Sequence, residues 1–200
     1  MSAADDPQPN DPGATGAGER ARLFVALELP VEVRAELARW RTRPLRGVSG
    51  LHAIAPEDLH ATLCFLGWRS TEQIGAISNA CSVLAAQSAP QLRLGEAIWL
   101  PPRRPRVLAV ELQDPLGALA RAQAALSEVL EAGGWYEPEE RPYLGHVTAA
   151  RVLRGTRIPP RPLTAPSPLA FSGSRAVLYR SRLSRAGARY EPLTTVELAG

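Results

Sequence analysis

Two tetrapeptides, His60-Ala61-Thr62-Leu63 and His146-Val147-Thr148-Ala149, each set an imidazole and a hydroxyl two residues apart, and they lie 86 residues from one another. The 200 residues contain three histidines, and two of them open these motifs. A strand sends residues i and i+2 to one face, so each motif, read as a strand, presents its ring and its hydroxyl side by side. An imidazole with an unperturbed pKa of about 6.5 is available near neutral pH in both protonation states. One neutral ring can take a proton from water while a protonated one gives a proton to a leaving oxygen. Two hydroxyls can donate to the non-bridging oxygens of a phosphoester held between them. A single His-x-Thr carries almost no information; two in equivalent settings carry much more.

The settings are equivalent because the chain repeats itself. Residues 22–29 (RLFVALEL) read as a strand, and Pro30 opens a helical pattern to about Arg43 with Val31, Val33, Leu37 and Trp40 as its apolar positions. Pro56-Glu57-Asp58-Leu59 then leads into a first motif strand over 60–66. In the second half a strand is expected over 106–112. Asp114 caps and Pro115 starts a helix with Leu116, Leu119, Gln123, Leu126 and Leu130 at helical spacing, Gly133 stops it, and the second motif strand spans about 144–153. From Val25 to His60 is 35 residues and from Ala109 to His146 is 37. Between the halves, Ser70 and Gln73 form a capping box ahead of a helix over 71–86, followed by a strand over 91–99. Strands are expected again at 169–173, 175–182 and 193–198. The simplest architecture is two βαβ-like lobes about a pseudo-two-fold, each giving one motif to a shared cleft. The pattern leaves the pairing order within a lobe open.

Composition narrows the class. Hydrophobic residues are 45% and charged residues 22%, the balance of a globular protein, and no apolar run approaches the roughly 18–20 residues of a membrane span. Residues 1–21, acidic and rich in Pro and Gly with no apolar stretch, read as a disordered leader and not as a secretory signal, leaving 22–200 as a single domain. Cys64 and Cys81 are too few for a disulfide framework and lack zinc spacing, so the expected compartment is the cytoplasm, with no membrane partner. Cys64 stands two residues after Thr62, which would put it on the motif face; its plainer reading is a small buried residue. All 23 basic residues are Arg, whose planar fork suits phosphates, but a net charge of +3 requires any nucleic-acid affinity to come from a local cluster.

With these residues in view, the chain resembles the two-histidine (2H) phosphoesterase superfamily and, within it, the RNA 2′,3′-cyclic phosphodiesterases also called 2′-5′ RNA ligases. The resemblance rests on Arg22-Leu23-Phe24-Val25-Ala26-Leu27, on the block from Pro56 to Gly67, on Arg141-Pro142-Tyr143, and on His146-Val147-Thr148 with Arg151. It continues through Leu178-Tyr179-Arg180-Ser181, Gly187 and Tyr190-Glu191-Pro192-Leu193. It implies an α+β, bilobal fold: two pseudo-two-fold-related α/β lobes with mostly antiparallel sheets around a central cleft. It also implies hydrolysis of a terminal 2′,3′-cyclic phosphate on RNA to a 2′-phosphomonoester, with 2′-5′ joining of RNA ends as a related reaction; the two-histidine chemistry itself requires no metal or cofactor, and a monomer is expected. By position, His60 would be the acid that protonates the leaving oxygen, His146 the base that activates water, Thr62 and Thr148 the holders of the phosphate, and Arg151 a phosphate or base contact. The chain departs from the group in having Gly145 where Pro usually precedes the second histidine, and Ala149 where Leu usually follows the second Thr. A non-catalytic RNA-binding module and a phosphodiesterase for small cyclic nucleotides remain the alternatives.

Other residues have plainer readings. His52, the spare histidine, reads as solvated. Arg103, Arg104 and Arg106 either track an RNA backbone or simply face solvent. Tyr143 could stack on a base, Trp135 reads as core, and Tyr179 and Tyr190 as anchors of the C-terminal strands.

Overall fold

A strand buried on both faces carries an unbroken apolar run, and residues 23–27 of β1 (Arg20–Glu28) are buried one after another. The computed structural model, which describes residues 19–184 and 187–200, places β1 in the interior of an antiparallel sheet. The strand starts two residues ahead of the expected boundary at 22; the rest of the expected leader, residues 1–18, lies outside the described residues. The remaining elements are α1 (Val31–Leu45), β2 (Leu51–Ala53), β3 (His60–Ser70), α2 (Ile74–Cys81), β4 (Gln91–Leu100), β5 (Val107–Gln113), α3 (Ala118–Ala132), β6 (His146–Val152), β7 (Ala170–Ser172), β8 (Arg175–Ser184) and β9 (Gly187–Glu197).

The sheet order is β7-β4-β5-β6-β3-β1-β8-β9, with β2 on the flank of β6. It reads alike from either end: the motif strand of each half (β3 or β6) pairs with the first strand of that half (β1 or β5), then with a strand from elsewhere. The fold is therefore α+β with two related lobes meeting at the β3–β6 seam. The βαβ-like expectation needs one correction. α1 and α3 join strands that lie antiparallel, β1 to β3 and β5 to β6, so neither is a parallel crossover.

Helix starts follow local chemistry. Ser70 accepts from the Glu72 amide while Gln73 accepts from the Ser70 amide, the anticipated capping box. It opens a short 3₁₀ turn, Thr71–Gln73, before α2, and a second 3₁₀ turn, Ser82–Ala86, follows. Asp114 does cap α3, its carboxylate accepting from the amides of Ala118 and Ala120 at 3.0 and 3.1 Å. The helix itself starts only at Ala118, because Gly117 turns the chain with φ 66°, a conformation that glycine adopts freely. Leu116 is left outside the helix and 67% exposed, and Val31 at the start of α1 is 69% exposed, so neither joins the apolar face assigned to it. Val33 and Leu37 of α1 and Leu119, Leu126 and Leu130 of α3 do, packing with Leu23, Leu27 and Leu63 in the main core. Among the described residues no helix is long and apolar enough to cross a membrane.

Gly145 is buried, and a Cβ placed there would stand 2.8 Å from Cδ2 of Leu119, itself fully buried on α3. Gly145→Ala is therefore expected to lower unfolding free energy by about 1–3 kcal/mol, the usual cost of overpacking. Urea denaturation of Gly145→Ala alone and with Leu119→Ala, compared with Leu119→Ala alone, should show the glycine change becoming nearly neutral once the leucine is gone. An equal penalty in both backgrounds would mean that the leucine is not the obstacle.

Candidate active site

The two motif strands touch through a single rung, Ala61 opposite Val147 in antiparallel register. Both residues are fully buried, so their neighbours point to the other face. In that register His60 stands across from Thr148 and Thr62 across from His146. Ring and hydroxyl thus alternate around a square, and the two imidazoles occupy diagonal corners, which in an antiparallel pair lie about 7–8 Å apart at the backbone. All four side chains are half-buried and line one small recess, together with Ile54, Asp58, Arg151 and Tyr190.

The lobes also share an irregularity. On β3, Val25 pairs with Cys64 and Ala26 with Thr62, leaving Leu63 without a partner; on β6, Leu108 pairs with Ala150 and Ala109 with Thr148, leaving Ala149 without one. The residue after each threonine is thus a β-bulge, which shifts the alternation by one. Strict alternation would turn Arg151 away from the recess; the bulge at Ala149 turns it in. The matching bulge at Leu63 brings Phe65 to the site face, where its ring carries the Arg22 guanidinium 4.6 Å from its centroid. It also sends Cys64 into the core, as its plainer reading as a small buried residue has it, and away from the motif face that strict alternation would give it. Burial pushes that thiol up to about 12. The Ala149 carbonyl at the second bulge accepts from the Ile54 amide (3.1 Å) and from buried Arg41 (3.3 Å), so the extra residue leaves no acceptor unpaired.

Each ring is oriented by the backbone two residues upstream. Nδ1 of His60 is 2.7 Å from the Asp58 carbonyl, and Nδ1 of His146 is 2.9 Å from the Leu144 carbonyl. A carbonyl can only accept, so each Nδ1 carries a proton and donates it. Each Nε2 is then the position that takes up or releases a proton. His60 sits in an aromatic nest: Phe24 stacks on it at 4.9 Å, Tyr190 meets it edge-on at 5.2 Å, and Tyr179 lies at 6.3 Å. Burial there drives the His60 pKa down to about 4; the Asp58 carbonyl opposes the shift, and the positive charge of Arg151 and the nearby His146 add to it. The Tyr190 phenol is hydrogen-bonded to Arg151, whose charge partly offsets the upward push of burial on that phenol.

Every residue singled out for the site, His60, Thr62, His146, Thr148 and Arg151, lines this recess. His52 is exposed on β2, in register with Arg151. Trp135 packs on the core as expected. Tyr143 offers no stacking surface; its hydroxyl donates to the Thr62 carbonyl at 2.9 Å, pinning the approach to β6 onto β3. Tyr190 is a site wall as well as a strand anchor. Phe24, Ile54 and Asp58 were not anticipated. Phe24 had a readable signal, since it lies on a strand next to the motif strand. Tyr190 had none, because its place depends on β9 folding back beside β8. Among the described residues no group of three or more His, Cys, Asp or Glu is placed to hold a metal ion.

Known proteins resemble the chain in sequence and in fold. No family model matches the chain. The RNA 2′,3′-cyclic phosphodiesterase of Escherichia coli K12 is 31% identical over 186 residues, 88% of this chain and 95% of that protein. A solved structure from Thermus thermophilus superposes with a TM-score of 0.77 at 28% identity, covering 90% of this chain and 98% of that one. E. coli LigT complexed with 3′-AMP superposes with a TM-score of 0.75 at 28% identity, covering 91% and 100%.

Proposed function

The chain belongs to the RNA 2′,3′-cyclic phosphodiesterase family, and from that premise we propose that it opens a 2′,3′-cyclic phosphate at an RNA 3′ end to leave a 2′-phosphomonoester. The observation that carries the reading is the square of two Nε2 atoms and two hydroxyls around one recess. Water attacks phosphorus in line with the 3′-oxygen. One ring accepts the water proton at Nε2 as the new P–O bond forms, and the other hands its proton to the 3′-oxygen as the old bond breaks. Thr62 and Thr148 donate to the non-bridging oxygens, and Arg151 supplies the positive charge that their developing charge requires. A 5′-hydroxyl in the place of water would, by the same bond changes, give a 2′-5′ linkage.

The resemblance makes His60 the acid and His146 the base. Its lowered pKa leaves His60 neutral in the free protein near pH 7, so the phosphate anion, by countering the Arg151 charge, would have to restore its proton for that role. The pH profile belongs to the pair and not to either ring. The active form carries one Nε2 proton between the two rings. Because the His60 pKa is lowered, this form persists well into acid and is lost as His60 gains its second proton when pH falls through about 4. kcat/KM is therefore expected to be bell-shaped with its acid limb near 4; a limb at the ordinary histidine value would mean that His60 is not screened from water.

Incubation with a cyclic-phosphate-ended oligonucleotide in EDTA tests the reaction itself. A 2′-phosphate product supports it. Binding without turnover of any cyclic phosphate would make the cleft a recognition module.

A further inference from the structure

Acidic residues are missing from three stretches of the chain: 37–56, 97–110 and 141–190 contain no Asp or Glu. The fold gathers parts of all three at the end of β6. The Arg106 carbonyl accepts from the Val152 amide at 2.7 Å, and the Gly50 carbonyl from the Leu153 amide at 2.8 Å. Trp99 donates to the Arg161 carbonyl at 2.9 Å, and the Arg161 guanidinium donates to the Pro44 carbonyl. Beneath them Trp99, Leu108, Ala150 and Ile158 form a separate small core, so the segments are held as one face. On it Arg43, Arg46, Arg103, Arg104, Arg154 and Arg157 are all exposed, and none makes an ion pair among the described residues. The face continues the strand that carries His146, Thr148 and Arg151.

The other flank of His60 carries acidic residues, where the arginine face has none. A second recess there is lined by Glu28, Glu57 and Asp58, with Arg34 and Tyr179. An RNA whose 3′ end occupies the site must leave it in some direction; on this flank its phosphodiesters meet carboxylates together with the guanidiniums of Arg34 and of Arg175, which pairs with Glu28 at 3.0 Å, whereas the arginine face offers guanidiniums alone. We infer that the RNA strand upstream of the cyclic end lies across the arginine face at the end of β6, so that the protein selects single-stranded RNA over cyclic mononucleotides. The inference rests on the hydrolytic reading for where the 3′ end sits, and it adds the path and the length of the substrate.

The test uses the full chain and the variant Arg103→Gln/Arg104→Gln/Arg154→Gln/Arg157→Gln, none of whose positions lines the cleft. kcat/KM is measured for 2′,3′-cyclic AMP and for a single-stranded decamer ending in a cyclic phosphate, at 50 and 200 mM salt. The wild type is expected to prefer the decamer by at least about tenfold at low salt. The preference should shrink as salt rises, with a slope of about 0.7 per phosphate contact, so that four arginines account for about 3. In the variant the preference should vanish while turnover of cyclic AMP is unchanged. A preference that survives in the variant, or a decamer no better than cyclic AMP at 50 mM, overturns the inference and leaves the hydrolytic reading intact. Should neither substrate turn over, the hydrolytic reading fails. Decamer affinity, read by fluorescence anisotropy on His60→Gln protein with and without the four changes, then decides the strand path alone. Loss of binding supports it, and equal binding overturns it.

Discussion

His60→Gln and His146→Gln are each expected to lower kcat on a cyclic-phosphate RNA end by about 10²–10⁴-fold, the range for a positioned proton-transfer group. Glutamine keeps a polar atom near the place of Nε2 but cannot carry a proton back and forth, so the loss reports chemistry and not shape. KM should change far less than kcat, and the melting temperature should stay within a few degrees. Because acceptance and donation belong to one concerted displacement, the double variant should be little slower than the worse single one. A single variant that retains full turnover would remove that ring from the mechanism. One that unfolds would instead point to the packing of the ring, which for His60 means its contacts with Phe24 and Tyr190.

The second large effect separates the two roles, which the pH profile cannot do. A substrate with sulfur in place of the 3′-oxygen releases a thiolate, whose conjugate acid has a pKa near that of cysteine, about 8.5, so it needs no proton to depart. The variant that has lost the acid should then recover by about 10²-fold relative to the oxygen substrate, and the variant that has lost the base should recover nothing. The proposed roles require recovery in His60→Gln. Recovery in His146→Gln instead would reverse them, with His60, held neutral by its aromatic nest, taking the water proton. Thio-effects measured on both variants at one pH decide between the two.

Much of this was legible before any coordinates. The motif strands could be read because alternation makes His60 and Thr62, or His146 and Thr148, neighbours wherever the strand lies. The doubling of the pattern implied two lobes. What stayed hidden depends on partners distant in the chain. Nothing in the order Thr62-Leu63-Cys64 announces that Leu63 is an extra residue; that is set by pairing with Val25 and Ala26, and it alone decides that Cys64 enters the core. The antiparallel arrangement of β1 and β3 has the same origin, since a helical connection of that length permits either direction. The start of α3 was misplaced for a local reason: Asp114 caps from a distance, across the turn that Gly117 makes possible. Tyr190 could not be assigned to the site while the course of β9 was unknown, although its contact with His60 is among those that set the charge of that ring.

Many sites that work with a histidine entrust its alignment to a carboxylate side chain, which a point mutation can remove. Here the alignment of both imidazoles falls to the peptide groups of residues 58 and 144, which are supplied whatever amino acid is encoded there. Substitutions at Asp58 or Leu144 can therefore drift without the rings losing their bearing, and the feature is inherited with the path of the main chain. The same economy leaves the basicity of His60 to answer to its burial among aromatic neighbours, to the nearby charge of Arg151 and to bound substrate. Tuning this protein to a new pH would mean redesigning the walls of the recess and not its hinges.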